Sequence, residues 1–199
     1  MVESGRLNIG QIGVQMDKNM ITEYTVVDVE TPNAKNDSIC SIALIRVKND
    51  EVVSKEYHLV DPEDYFDQFN VRLHGISKAM VKGSPTFTEL WNKINHHFTD
   101  GVIVAHNATF DLNVLAKSLR RSRIYVPEFR YVCTYRLSKS VNGGLRKHGL
   151  SSVCEFYGLT LDDHHNALCD AVACQEVYRK INSVRPVTYA DICVSRFTR

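Results

Sequence analysis

The sequence predicts an α/β protein built on a mixed sheet of five strands, with an antiparallel hairpin at one side and helices flanking the sheet. Two observations carry this prediction. Three apolar runs typical of strands come first, and helix-like apolar stripes then alternate with two more strand-like runs. At 199 residues and a net charge of +1, the composition is that of an ordinary globular protein with one domain, and the overall charge does not indicate a nucleic-acid-binding protein.

The first three strands are predicted in the first third of the chain. Residues 24–29 form a valine-rich apolar run that suits a strand buried on both faces. Residues 39–47 and 51–60 predict the next two strands, and Lys48-Asn49-Asp50 between them is a turn signal. We therefore expect these two strands to form a hairpin.

Helical patterns follow the hairpin. Thr86 and Glu89 fit a capping box at the start of an amphipathic helix, and Gly101 ends that region. Residues 102–105 predict the fourth strand. The helix after it is predicted by an apolar stripe of four residues: Leu112, Leu115, Ala116 and Leu119.

The last third of the chain predicts one more strand and two helices. Residues 129–133 form the fifth strand, and residues 150–156 form a short helix that Gly158 stops. A final long helix carries the stripe Ala167, Ala171, Cys174, Tyr178 and Ile181.

We expect three segments in the chain. Residues 1–20 show no clear period and are predicted to form a loose N-terminal extension. The compact domain is predicted at residues 21–183, followed by a C-terminal tail at 184–199. The tail suits either partner docking, through residues such as Tyr189, or packing on the domain, and we favour packing.

Cysteine usage and hydropathy bear on the compartment. None of the six cysteines forms a Cys-x-x-Cys pair, and most lie in apolar runs, so we expect reduced core thiols in a cytoplasmic protein. No segment approaches 18 apolar residues and no signal-peptide pattern opens the chain, so we expect no membrane partner. Residues 117–147 hold nine basic residues and a single acid, which suits a phosphate-facing surface or a solvated face.

Acidic residues lie among apolar neighbours in three separated segments, where a carboxylate is costly unless something compensates it. Asp28 and Glu30 are two apart on the first predicted strand, so their side chains point to the same face. Asp111 follows the fourth strand, near Asn107, and either residue also suits a simple helix cap. Asp170 is close to the final apolar stripe and should face inward.

A histidine accompanies the last acid. His165 precedes the final helix in a loop with Asp162, Asp163 and His164. From a loop, an imidazole can reach a metal-bound water, but a solvated histidine or a separate metal site at residues 162–165 are alternatives. Acids that converge on one point repel one another, and a pair of divalent cations is the usual compensation, which predicts metal-assisted phosphoryl chemistry.

The three acidic blocks together resemble the DnaQ-like family of 3′–5′ exonucleases, in the subgroup with an Asp-Glu-Asp-Asp core and a histidine (DEDDh). Residues 28–31 match its Asp-x-Glu-Thr motif, 107–111 its second motif, and 165–170 its His-x-x-x-x-Asp motif. The chain is similar to bacterial proofreading exonucleases of the DNA polymerase III epsilon type over about residues 22–182. One departure is Pro32-Asn33, where Thr-Gly or Ser-Gly is common.

The resemblance implies an RNase H-like fold and a two-metal hydrolysis of phosphodiester bonds. Two Mg²⁺ or Mn²⁺ ions would be held by four carboxylates: Asp28, Glu30, Asp111 and Asp170. His165 would take the proton from the attacking water. By the same resemblance, Thr31, Asn107 and Phe110 are candidates for substrate contacts, although an aromatic residue at a helix start is usually core.

The sequence therefore favours an exonuclease that releases nucleoside monophosphates from the 3′ ends of single-stranded nucleic acid, with DNA favoured and a DNA polymerase as a candidate partner. An RNA-trimming or oligoribonucleotide-degrading enzyme is the first alternative. A non-catalytic nucleic-acid-binding or polymerase-docking module is the second, because a fold does not determine a function.

Overall fold

A computed structural model of the protein describes residues 19–99, 101–195 and Phe197. Its strands are β1 (Glu23–Glu30), β2 (Ser41–Lys48), β3 (Glu51–Leu59), β4 (Val102–Ala105), β5 (Phe129–Cys133) and β6 (Cys193–Ser195). Its helices are α1 (Gln68–His74), α2 (Phe87–Ile94), α3 (His96–Thr99), α4 (Thr109–Arg121), α5 (Thr134–Val141), α6 (Leu150–Tyr157) and α7 (Ala167–Val184). The predicted α/β class is confirmed.

The strands form one mixed sheet in the order β3-β2-β1-β4-β5-β6. β1, β4 and β5 are parallel, whereas β2 and β3 form the predicted antiparallel hairpin beside β1. The sheet has six strands rather than the predicted five, because β6 pairs antiparallel with β5. Three residues are too few to show the alternation that identifies a strand in a sequence.

The hairpin turn shows why its residues suit the connection between β2 and β3. Asn49 and Asp50 both have positive φ, at 50° and 63°. Asparagine and aspartate tolerate this left-handed backbone better than other non-glycine residues, and two such residues give the turn twist that a tight hairpin needs.

Helices cover both faces of the sheet. On one face, α5, α6 and α7 pack against one side of β1, where Tyr24 and Val26 are buried. On the other face, α2 and α4 pack against Val27 and Val29. The buried residues of β1 thus alternate between two apolar cores, which explains the continuous apolar run that predicted this strand.

Two helices were not predicted. None of the residues of α1 is buried, so its sequence carries no apolar stripe. α5 begins at Thr134, directly after β5 ends at Cys133, so no turn signal separates the two elements. The other helix signals are confirmed: Thr86 and Glu89 form a capping box, and Gly158 ends α6 with a φ of 64°.

Both ends of the described chain contact the domain. Met20 forms an isolated antiparallel bridge with Thr188, and Val187 is fully buried in the core beside α7. Residues 1–18 of the predicted extension lie outside the described residues, so the three predicted segments stay a prediction. In the described residues, the helices are too short or too polar to cross a membrane.

Candidate active site

The predicted acids come together at one edge of the sheet. Asp28 and Glu30 lie at the end of β1, and Asp111 lies in the first turn of α4, which follows the parallel neighbour β4. Asp170 lies in the first turn of α7, which packs on the face of β1 that carries Tyr24 and Val26. Side chains at even positions of β1 share this face, so Asp28 and Glu30 point toward Asp170. Ligands commonly bind at this carboxyl edge of α/β sheets.

The carboxylates are close together and largely shielded from solvent. One oxygen each of Asp28, Glu30 and Asp170 lie within 4.8 Å of one another. Asp111 adjoins them through a hydrogen bond that its Oδ1 accepts from the backbone N–H of Val29 at 3.3 Å. Glu30, Asp111 and Asp170 are at most 9% exposed. Strand and helix spacing therefore predicted correctly which way these side chains face.

This proximity disfavours negative charge. Burial and the neighbouring carboxylates raise the pKa of Asp28 well above its usual range. Burial and the charges of Asp170 and Asp111 raise the pKa of Glu30 to about 8. Burial likewise raises the pKa of Asp111 to about 8, although backbone N–H groups donate to it. In the described chain, no lysine or arginine forms an ion pair with these four carboxylates.

Such a cluster has the composition of a divalent cation site. Carboxylate oxygens are the ligands that Mg²⁺ and Mn²⁺ favour, and a cation placed among them would relieve the repulsion that raises their pKa values. The residues present therefore fit the predicted ions. Asn107 is not the N-cap of α4, because Ala108 occupies that position and no side chain there accepts a hydrogen bond. Asp111 lies in the first turn of α4, as its alternative role expected, and it also accepts a hydrogen bond from the backbone of Val29.

The two adjacent histidines have different surroundings. His164 contacts Asp170 directly, with Nδ1 2.9 Å from Oδ1. His165 donates its backbone N–H to Asp170 Oδ2 at 3.0 Å, and a ring nitrogen of each histidine lies within 4.8 Å of a carboxylate oxygen of Asp170. The two rings stack with centroids 3.9 Å apart. Burial and His164 lower the pKa of His165, which favours the neutral imidazole that can accept a proton.

A cavity of about 420 Å³, the first cavity, unites the predicted site. Its wall contains all eight predicted residues, namely Asp28, Glu30, Thr31, Asn107, Phe110, Asp111, His165 and Asp170. His164 does not line it. Phe110 is 41% exposed, so it faces this cavity rather than the core.

The sequence did not predict the opposite wall of the first cavity, which is made by α1. Phe69, Asn70 and Leu73 line the cavity, and Phe69 is 67% exposed. Exposed apolar residues on a short helix carry no signal of burial, so periodicity could not identify them.

Hydrogen bonds from α1 position the backbone after Glu30. Asn70 Nδ2 donates to the carbonyl oxygen of Thr31 at 2.9 Å, and His74 Nε2 contacts the same oxygen at 3.1 Å. The Ile76 N–H donates to His74 Nδ1, so Nε2 carries the proton of the neutral ring and donates to Thr31. The Thr31 hydroxyl donates to Asn36 Oδ1 at 3.0 Å. Thr31, directly after β1, is thus tied both to α1 and to Asn36.

A second cavity, of about 440 Å³, lies beside the first. The two cavities share Asp28, His106, Asn107 and Asp170 as walls. The second cavity is otherwise lined by Tyr135, Gly149, Leu150 and His164. The carboxylates therefore form a boundary between two spaces of similar volume.

Comparisons with known proteins agree with this geometry. The RNase T exonuclease family model matches residues 22–178. The chain is 29% identical over 173 residues to the DNA polymerase III PolC-type of Halalkalibacterium halodurans, covering 86% of this chain. It spans only 12% of the length of that relative.

Solved structures share the fold. Exonuclease X in complex with 5′ overhanging duplex DNA has a TM-score of 0.67 and 24% identity, covering 84% of this chain and 96% of that chain. The nuclease domain of 3′hExo, a DEDDh family member bound to rAMP, has a TM-score of 0.72 and 14% identity, covering 89% of this chain and 98% of that chain. The RNase H-like fold implied by the resemblance is confirmed.

Proposed function

Because the chain belongs to the RNase T exonuclease family, within its DnaQ-like DEDDh group, we propose that it is a metal-dependent 3′–5′ exonuclease that releases nucleoside monophosphates from single-stranded 3′ ends. One observation carries the proposal: all eight residues predicted for this chemistry line one cavity. A module that only binds nucleic acid does not need four clustered carboxylates and a histidine.

The carboxylates of Asp28, Glu30, Asp111 and Asp170 hold two Mg²⁺ or Mn²⁺ ions in this proposal. When bound, the ions supply Lewis-acid stabilisation of the negative charge that develops during phosphodiester hydrolysis. The neighbouring oxygens of Asp28, Glu30 and Asp170, within 4.8 Å of one another, support a shared site. Asp111 completes the set from the opposite face of the sheet.

His165 accepts the proton of the attacking water. Its lowered pKa keeps the imidazole neutral near pH 7, and it lines the same cavity as the carboxylates. His164 instead orients Asp170 through the 2.9 Å contact of its Nδ1 with Oδ1. This division assigns different roles to two adjacent residues of the same type.

The terminal nucleotide occupies the first cavity. Phe110 and the apolar residues of α1 offer faces for a base and sugar, whereas Asn107 offers polar groups near the carboxylates. The Thr31 hydroxyl and carbonyl already have protein partners, so its contribution is to shape the cavity floor.

DNA is the favoured substrate, since the matched relative is named as a DNA polymerase. The same observation supports a polymerase as partner. A bound rAMP in one structural neighbour makes RNA the alternative. The six cysteines are free thiols, which supports the cytoplasm as location.

A cleavage assay on 5′-labelled single-stranded DNA, single-stranded RNA and duplex DNA with a mismatched 3′ end tests the proposal. We expect a ladder of products shortened one nucleotide at a time from the 3′ end, strongest with DNA. Internal cuts, or shortening from the 5′ end, would contradict it. If the ladder were stronger with RNA, the exonuclease assignment would stand and RNA would be the favoured substrate.

A further inference from the structure

The two adjacent histidines and Asp170 form a group of metal-ligating side chains that overlaps the carboxylate cluster. Among the described residues, two groups of three such side chains have ligand atoms within 4.8 Å of one another. One contains Asp28, Glu30 and Asp170, to which the proposed function assigns Mg²⁺ or Mn²⁺. The other, the histidine group, contains His164, His165 and Asp170. The proposed exonuclease chemistry places no ion in the histidine group.

The ligand atoms of the histidine group suit a different cation. Two imidazole nitrogens and one carboxylate oxygen are a typical ligand set for Zn²⁺, which can hold three protein ligands in a tetrahedron with water at the fourth position. Mg²⁺ instead binds oxygen ligands in octahedral geometry. Imidazole is a ligand that suits Zn²⁺, whereas carboxylates suit Mg²⁺ and Mn²⁺. The two overlapping groups therefore select different ions.

The distances in the histidine group suit one Zn²⁺ ion. Tetrahedral bonds of the usual length for Zn²⁺ place the ligand atoms about 3.4 Å apart. His164 Nδ1 lies 2.9 Å from Asp170 Oδ1 and 3.1 Å from Oδ2. The ring of His165 lies beside that of His164, with centroids 3.9 Å apart and planes inclined by only 19°. Small side-chain rotations would bring the three ligand atoms to the spacing that one ion requires, with the ion in place of the hydrogen bond between His164 and Asp170.

A second pair of adjacent histidines shows that two neighbouring imidazoles do not by themselves form such a group. The rings of His96 and His97 also lie close together, with centroids 4.1 Å apart. His97 Nε2 lies 3.2 Å from Glu56 Oε1. Among the described residues, however, neither histidine of this pair belongs to a group of three ligand atoms within 4.8 Å of one another. Convergence on one carboxylate therefore distinguishes the histidine group.

From this arrangement, we propose that His164, His165 and Asp170 form an inhibitory Zn²⁺ site. The His164 side chain is 40% exposed, so an ion can enter from solvent. His165 lines the first cavity and His164 the second, so the ion would lie between the two. It would occupy the lone pair with which His165 accepts a proton and would draw Asp170 away from the other carboxylates. The inhibition rests on the proposed function, whereas the zinc site rests on geometry alone.

Equilibrium dialysis measures zinc binding without reference to activity. Protein saturated with Mg²⁺ is dialysed against buffers of fixed free Zn²⁺, and the bound zinc is measured by atomic absorption. We expect the wild type to bind a Zn²⁺ ion that excess Mg²⁺ does not displace. His164→Gln, which keeps a hydrogen-bond donor but removes the imidazole, should weaken this binding at least about tenfold, since even the loss of an outer-shell partner costs that much. His96→Gln, the matched change in the other histidine pair, should bind zinc like the wild type.

Cleavage of single-stranded DNA in Mg²⁺ tests the inhibition, with each protein compared with its own rate in the absence of zinc. The Zn²⁺ concentration that halves the rate should rise at least about tenfold in His164→Gln, in parallel with the weaker binding, and should not change in His96→Gln.

The two measurements separate the possible failures. Equal zinc affinity in wild type and His164→Gln, or displacement of the zinc by Mg²⁺, would overturn the site and place the zinc among the carboxylates. Binding that depends on His164 without loss of cleavage would overturn the inhibition. Such binding in a wild-type protein that cleaves no nucleic acid would support the zinc site and overturn the proposed function instead.

Discussion

The carboxylate of Asp64 and the carboxylates at the sheet edge are all shielded from solvent, but they lie in opposite electrostatic environments. Asp64, whose side chain is 7% exposed, receives hydrogen bonds from Arg121 at 2.6 Å and from Lys35 at 3.2 Å. Although burial acts to raise it, these donors and a backbone N–H hold the pKa of Asp64 well below its usual range. Glu30 and Asp111 have no cationic partner in the described chain, and their pKa values rise to about 8.

The difference separates a structural ion-pair network from a ligand site. At Asp64 the chain supplies its own cations. The network ties the loop at Glu63 to the end of α4, since Arg121 also donates to the carbonyl of Glu63 at 2.8 Å, and it includes Asp37, which lies 3.5 Å from Arg121. At the sheet edge the chain gathers negative charge without neutralising it. Without a cation from outside the chain, the raised pKa values favour the protonated carboxyl groups, and a divalent metal would take the place of those protons.

The largest effect should follow from removing one ligand of the edge cluster. Asp28→Ala or Asp170→Ala should lower kcat/KM on single-stranded DNA by about 10³-fold or more. This loss is larger than the one expected when a single electrostatic contact to the transition state is removed. Asp64→Asn should stay within about tenfold of wild type, because it only loosens a supporting segment. A steady-state cleavage assay compares the variants. Turnover near wild type in Asp28→Ala would refute the metal-ligand assignment.

The next effect concerns the two histidines beside the cluster. His165→Ala should lower kcat by about 10²–10⁴-fold, the usual contribution of a general base. His164→Ala should cost less, since it removes one hydrogen bond to Asp170 rather than the proton acceptor. Single-turnover rates with saturating DNA and Mg²⁺ measure both. If the His164 variant were the slower one, their roles would have to be exchanged.

Stability should change in opposite directions in the two regions. In metal-free protein at pH 8, Asp28→Asn removes a carboxyl group whose raised pKa costs free energy in the folded state, and it should raise the free energy of unfolding by an amount on the order of 1 kcal/mol. Asp64→Asn removes the partner of Arg121 and should lower it by about 1–2 kcal/mol, a value moderated by the partial exposure of the arginine. Urea unfolding monitors both. If both variants were less stable than wild type, the proposed electrostatic difference between the sheet edge and Asp64 would be wrong.

A smaller effect is expected from pH. Glu30 and Asp111 titrate near 8 when folded but near 4 when unfolded, so the metal-free folded state binds more protons between these values. Its stability should therefore fall as pH rises from about 4 to 8. Metal binding requires the ionised form, so Mn²⁺ should raise the melting temperature more at pH 8.5 than at pH 6. An equal rise at both pH values would place the metal elsewhere.

Much of this fold could be predicted because its strands are long or apolar. The valine-rich β1 and the turn before β3 have local signals that tertiary contacts do not change. α1 and β6 lack such signals, because α1 buries no residue and β6 has only three. Both depend on contacts with distant segments, such as the bonds from Asn70 and His74 to Thr31.

The site was predicted by motif spacing rather than by local physics. Each acid taken alone also suited a strand end or a helix cap. Their convergence depends on the parallel pairing of β1 with β4 and on the packing of α7, which no single segment encodes. The contact of His164 with Asp170 could not be predicted, because the motif spacing points to His165 and does not encode the conformation of the loop before α7.

Titration of metal-free protein with Mn²⁺, followed by the electron paramagnetic resonance signal of the free ion, tests most directly whether the uncompensated cluster is a cation site. Wild type and Asp64→Asn should bind Mn²⁺ with similar affinity at pH 8, and Asp28→Asn should bind at least about tenfold more weakly, as expected for loss of a charged ligand. Equal binding by wild type and Asp28→Asn, or no saturable binding by wild type, would contradict the account.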